Sequence, residues 1–243
     1  MSKKICFVST YIGKIENKEI SNNFDKNEEC DYLFFTNLTK EDFGKNCWEI
    51  ITIDFNEFSG LNNVKISRYF KFMSFKYIRE KLGRDYDYIF YCDCYLYPDS
   101  KINWIDLSKE MEKAELEIMQ YIHPSKRCIK KEMDSILLRS KETKENIINT
   151  IKYLEQINKK INLSENGLLF ENTVIGFCIK SEKVTNFLSE YWKYYKDCPT
   201  YRDQPLWNFM IKNSGKKICV KKDNNFRNFF MGKKIFERRL NHY

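Results

Sequence analysis

Proline and glycine are scarce, at 4 and 8 of 243 residues, and no stretch concentrates serine, glycine or proline. That excludes flexible linkers and low-complexity segments. No internal repeat is present, so a solenoid or propeller is excluded as well. No window approaches the roughly eighteen consecutive apolar residues of a membrane-spanning helix. After Lys3-Lys4 the only apolar run is Ile5 to Val8, which reads as a first core strand and not as a secretory signal. There is no G-x-G-x-x-G, no phosphate-binding P-loop, no G-x-S-x-G and no zinc-protease motif. Dehydrogenase, NTPase and hydrolase readings lose support accordingly. Only two histidines are available, His123 and His242.

Hydrophobic residues make up 42% of the chain and aromatics 16%, enough for a sizeable core in one domain. The nine cysteines are odd in number, scattered and without a C-x-x-C pair. With no secretory signal, reduced thiols in a cytoplasmic chain are expected. Cys92 and Cys94, two apart on one strand, have poor geometry for a closed tetrahedral metal site. Lys plus Arg exceeds Asp plus Glu, 42 to 34, giving a net charge of +8. The excess partly falls as pairs in the last third: Lys216-Lys217, Lys221-Lys222, Lys233-Lys234 and Arg238-Arg239. It serves solubility, and it also suits a phosphorylated ligand or peripheral contact with an anionic membrane surface. No motif supports nucleic-acid binding.

Strands are expected at Ile5–Thr10, Asp31–Thr36, Trp48–Ile53 and Asp87–Asp93. The last is nearly all apolar, as a central strand covered on both faces should be. Between the third and fourth, Val64 to Leu82 reads as a helix with Ile66, Phe70, Met73 and Tyr77 on one stripe, ending at Gly83. Phe72 and Phe75 lie on its other side with Arg68. A helix packed on two sides turns Arg68 toward a cleft. The second half reads as a short helix at Ser108–Lys113, a strand at Leu116–Ile122 and a polar helical stretch from Ile129 to Lys160. An extended Gly167–Ile179, helices at Val184–Tyr195 and Gln204–Lys212, and a late strand at Ile218–Val220 follow. This order predicts an α/β fold, a mixed sheet flanked by helices.

Asp93 is the sharpest feature. It ends a buried strand before the turn that leads to Pro98, and ligands of open α/β sheets bind outside the carboxyl ends of strands. A carboxylate there can hold a divalent cation, or it can simply cap a turn. Lys65, Arg68 and Lys71 recur every three residues on the preceding helix, either as a solvated basic face or as partners for a diphosphate. Arg202-Asp203-Gln204 precedes a helix; Asp203 is placed to cap it, with Pro205 at its first position. The same carboxylate can contact an acceptor hydroxyl or take its proton. His123-Pro124 ends a strand, a place where histidine is more often structural. Arg127 and Glu132 follow as an expected ion pair.

Taken together, these segments resemble the TOD/MUCI-type glycosyltransferase-like domain, first catalogued as a domain of unknown function. Its plant members are linked to cell-wall and mucilage polysaccharide synthesis. The resemblance spans nearly the whole chain. It is carried by Phe7–Gly13, by Asp31–Asn37 with its Phe35-Thr36-Asn37 ending, by Trp48-Glu49-Ile50 and by Ser67-Arg68-Tyr69-Phe70-Lys71. Further on it is carried by Tyr88–Asp93, His123-Pro124 with Arg127 and Glu132, Leu169–Asn172, Arg202-Asp203-Gln204, Glu237-Arg238-Arg239 and His242. A wider similarity is to GT-A glycosyltransferases such as the glycogenin-like group, which carry D-x-D at the strand end. Here Tyr95 stands where the second Asp would be.

The resemblance implies a GT-A type, Rossmann-like single domain over 1–243, with residues 1–100 binding the nucleotide sugar and 101–243 the acceptor. It implies transfer of a sugar from a nucleotide-diphosphate donor to a glycan or other hydroxyl acceptor, with Mn or Mg as the divalent cation. Thr10, Tyr11 and Asn37 would line the nucleoside pocket. Lys65, Arg68 and Lys71 would hold the diphosphate, and Asp93 the metal or the ribose. Asp203, with Asp93, would be catalytic, and His123, Arg127, Glu171, Arg202 and Gln204 would meet the sugar or acceptor. A catalytically weak sugar-nucleotide or glycan-binding protein remains the alternative.

Overall fold

A computed structural model describes residues 4–14, 20–22, 24–125, 128–167, 169–215, 220–222 and 225–232. In chain order its strands are β1 (Ile5–Tyr11), β2 (Ile20–Asn22), β3 (Cys30–Thr36), β4 (Phe43–Asn46), β5 (Glu49–Thr52), β6 (Tyr88–Cys92), β7 (Leu96–Pro98), β8 (Ile118–Gln120), β9 (Val174–Cys178), β10 (Val220–Lys222) and β11 (Phe230–Gly232). Its α-helices are α1 (Asn63–Tyr77), α2 (Trp104–Lys113), α3 (Ile129–Leu138), α4 (Lys144–Ile157), α5 (Glu182–Tyr195) and α6 (Asp203–Ser214).

Seven strands form one mixed sheet in the order β10-β8-β9-β6-β1-β3-β5. β5, β3, β1 and β6 run parallel; β9 runs antiparallel between β6 and β8. The sheet therefore takes strands from both sides of residue 100. The chain builds outward from β1 through β3 to β5, then returns along α1 to place β6 on the other flank of β1. Strand order reverses between β1 and β6, and ligands of open α/β sheets bind outside the carboxyl ends of strands at such a point.

Side chains alternate across the sheet. Ile5, Phe7 and Tyr11 of β1 and Tyr88, Phe90 and Cys92 of β6 enter one apolar layer, with Trp104 and Phe230. Cys6 and Val8 of β1 and Ile89 and Tyr91 of β6 enter the other, with Phe70 of α1, Leu188 of α5 and Trp207 of α6. The expected stripe of α1 is buried: Ile66, Phe70, Met73 and Tyr77. Asn62 caps the helix by accepting from the Lys65 amide. A single π-helical turn, Ile78–Leu82, extends it, and Gly83 ends it at φ +63°. Gly176 of β9 lets strands pack closely, since a Cβ there would lie 2.8 Å from the Phe90 ring.

Several sequence expectations are corrected. The stretch Ile129–Lys160 is two helices, α3 and α4, separated at Ser140, which sits at φ +51°. The short helix begins at Trp104, four residues early, capped by Asn103. Asp203 is not the cap of α6; Arg202 occupies that position and Asp203 is the first helical residue, with Pro205 two further on. Of the late strand expected at Ile218–Val220, Val220 opens β10 and Ile218 lies outside the described residues. Lys216-Lys217, Lys233-Lys234, Arg127, His242 and Glu237-Arg238-Arg239 lie outside them too. All eight described cysteines are free thiols. Among the described residues no helix is long and apolar enough to cross a membrane.

Candidate functional site

Charged side chains from both halves of the chain come together at the carboxyl end of β6. Asp93, immediately after β6, keeps 29% of its side chain exposed. Its Oδ1 accepts from the Tyr91 hydroxyl at 2.9 Å and lies 3.6 Å from Lys71 Nζ. Among the described residues nothing bonds its second oxygen. Lys71 is 2% exposed, and its ammonium makes its nearer contact with Asp203 Oδ2, at 3.0 Å. The face of the Tyr91 ring lies 4.8 Å from Lys71 Nζ and adds a cation–π contact. Arg68 Nε lies 3.1 Å from Asp203 Oδ1, at ion-pair distance but without hydrogen-bond alignment.

Burial of an ammonium costs several kcal/mol unless it is paired, and here two carboxylates surround it. Asp203 is buried, which by itself would raise its pKa. Lys71, Arg68 and Arg202 outweigh that and hold the carboxyl well below the usual carboxylate range. Burial likewise disfavours the Arg68 charge, and Asp203 more than restores it. The group of Arg68, Lys71, Asp93 and Asp203 thus balances its own formal charge. A carboxylate held this low is a weak proton acceptor at neutral pH, so Asp203 is poorly suited to serve as a general base.

The spacing of three that groups Lys65 with Arg68 and Lys71 does not bring Lys65 to the cluster. Its ammonium donates to the carbonyls of Lys196 and Cys198 at 2.7 and 3.1 Å, capping the end of α5. Thr10 projects from β1 to the same side of the sheet as Asp93 by strand alternation. Its Oγ1 is buried and has no hydrogen-bond partner among the described residues. Tyr11 points to the opposite layer, fully buried, and its hydroxyl donates to the Lys14 carbonyl at 2.7 Å. Asn37 ties two loops together: its Oδ1 accepts from the Gly13 amide and its Nδ2 donates to the Gly13 carbonyl.

The second half contributes the segment before β9. The Asp93 amide donates to the Thr173 carbonyl at 3.0 Å, so residues 171–173 lie beside the end of β6. Glu171 accepts from the Thr173 hydroxyl at 2.8 Å, and burial together with the neighbouring Glu171 carboxylate pushes the Tyr121 phenol up. His123 Nδ1 accepts from the Ser125 amide at 3.2 Å. The Arg202 amide donates to Thr200 Oγ1 at 3.0 Å as the α6 turn begins. Gln204 leaves its buried Nε2 without a hydrogen-bond partner among the described residues. Two buried polar atoms, on Thr10 and Gln204, thus have no hydrogen-bond partner among the described residues.

Sequence reasoning passed over Gln120 and Trp207 and gave Asn172 no site role, yet the three hydrogen-bond in series to Asp203. It also missed Arg227, which bonds the Phe230 carbonyl at 3.0 Å and sets a positive charge near Tyr95 and Tyr121. None of these stands in a charged or strand-end pattern that would single it out. Tyr95 is half-buried and, being a phenol, supplies no second carboxylate. A divalent cation is held by several oxygen ligands. Among the described residues, one partly exposed carboxylate with an ammonium 3.6 Å away is a poor fit to a resident cation, and no group of three acidic, cysteine or histidine side chains comes together. A cavity of about 430 Å³, lined by Lys4, Asp31, Arg84 and Tyr86 among others, carries none of these residues. In comparisons with protein families and with curated proteins, the chain matches no family model and no curated sequence.

Proposed function

We propose that the chain is a glycosyltransferase of the GT-A type that moves a sugar from a nucleotide-diphosphate donor to a hydroxyl acceptor. The observation that carries this reading is Asp93. It follows a central strand where strand order reverses, is partly exposed, and has one oxygen held by Tyr91 and Lys71, while among the described residues nothing bonds the other. An oriented carboxylate at such a strand end suits the hydroxyls of a ribose or a sugar. Resemblance to TOD/MUCI-type domains supports the same chemistry.

In this reading Asp93 accepts from donor hydroxyls, and Arg68 offers the part of its guanidinium not facing Asp203 to the diphosphate. Lys71, too buried to reach a ligand, fixes Asp93. Asp203 holds both cations in place. Acceleration then comes from positioning and from charge stabilisation at the leaving diphosphate. No step is assigned to a metal.

The internal charge balance of the cluster favours one second reading, a protein that binds sugar nucleotides with little turnover. Calorimetry with uridine, guanosine and thymidine diphosphate sugars, with and without manganese, tests the primary reading together with product analysis. Binding of at least one donor with sugar transfer or donor hydrolysis supports a transferase. Binding without turnover supports the second reading, and no binding refutes both.

A further inference from the structure

A chain of buried hydrogen bonds runs into the cluster from its far side. Trp207 Nε1 donates to Gln120 Oε1 at 2.8 Å; Gln120 Nε2 donates to Asn172 Oδ1 at 2.9 Å; Asn172 Nδ2 donates to Asp203 Oδ2 at 3.1 Å. The same Asp203 oxygen meets Lys71 Nζ at 3.0 Å. Every member is at most 4% exposed, so water does not substitute for a missing partner.

The direction of this chain is forced. An indole nitrogen only donates, so Gln120 must turn its oxygen toward Trp207 and its amide toward Asn172. Asn172 must then present its oxygen to Gln120 and its amide to Asp203. What reaches Asp203 is a donor, which suits the ionised carboxylate and opposes its protonation. Gln120 also reaches the Glu171 carbonyl at 3.3 Å, which fixes its plane.

We propose that Gln120, oriented by Trp207 and acting through Asn172, is a positioning residue. It keeps Asp203 ionised and turned toward Lys71, and so sets the ammonium against Asp93. The consequence for donor transfer rests on the glycosyltransferase reading. The positioning itself does not, and it is tested without substrate.

The probe is the Lys71 ammonium signal in proton–nitrogen NMR at neutral pH, identified by its loss in Lys71→Arg. Gln120→Met keeps the length and cuts the chain, leaving Asn172 free to turn its oxygen toward Asp203. Trp207→Phe removes the donor that orients Gln120 and keeps a ring against Phe72 and Tyr191. The expected result is a Lys71 signal displaced, broadened or lost in both variants. An unchanged signal in either folded variant, or no Lys71 signal in the wild type, overturns the proposal; should one variant fail to fold, the other decides. Loss of the signal alongside absent donor turnover would leave the positioning standing and the glycosyltransferase reading refuted.

Discussion

Lys71 and Asp203 bind each other's fate at the residue scale. Asp203 is the common partner of two cations with side-chain exposures of 2% and 15%. Its replacement by asparagine strands Arg68 and leaves Lys71 only the longer contact with Asp93, and breaking a buried pair costs about 3–5 kcal/mol. Asp203→Asn is therefore expected to lower stability by about that amount in urea denaturation at neutral pH. The pH dependence follows from the depressed pKa. An unfolded aspartate titrates near 3.9, and the folded one lower. The stabilisation is complete above the unfolded value and is lost as pH falls below it toward the folded value. Wild-type stability measured from neutral pH downward should drop steeply below about pH 4, with a shallower drop in Asp203→Asn. Arg68→Ala leaves Asp203 paired with Lys71. It is expected to weaken nucleoside diphosphate binding about tenfold or more while leaving nucleoside affinity nearly unchanged. Equal weakening of both would place the guanidinium away from phosphate.

At the scale of elements, β9 carries the segment 171–173 to the end of β6, and Gly176 allows that approach. A methyl group there would press on the Phe90 ring, which packs against Phe7 and Trp104. Gly176→Ala is expected to destabilise by about 1–3 kcal/mol, read as a lowered thermal midpoint. No change would mean that Phe90 has room to move. The first half of the fold was legible because each element carries a strong local pattern. Apolar runs mark β1, β3 and β6, and the stripe of α1 ends at a glycine in the left-handed region. Short strands such as β4, β7 and β11 carry no comparable pattern. Their three or four residues form strands only because partners lie alongside. The break between α3 and α4 was hidden because nothing in Arg139-Ser140-Lys141 marks a turn as a glycine would.

Across the whole molecule, the site joins sequence-distant groups that local reading can only partly assemble. Asp93 and Arg68 stood out because a charge amid apolar neighbours is conspicuous. That Lys71 and Asp203 meet 132 positions apart, while Lys65 turns away to the end of α5, depends on how α1 and α6 pack. The amide relay is invisible to pattern for the same reason, as glutamine and asparagine on short strands and loops carry no periodic signal. The fold brings a partly exposed carboxylate, Asp93, to the carboxyl end of β6 beside the switch in strand order, and the proposed function depends on it.

The most direct test compares donor turnover by wild type and Asp93→Asn across the panel of nucleotide-diphosphate sugars. The substitution is nearly isosteric at a partly exposed position, so the thermal midpoint serves as the control for folding. The account predicts turnover by the wild type and a loss of at least about a hundredfold in the variant, with the fold retained. Equal turnover by the two proteins would contradict it.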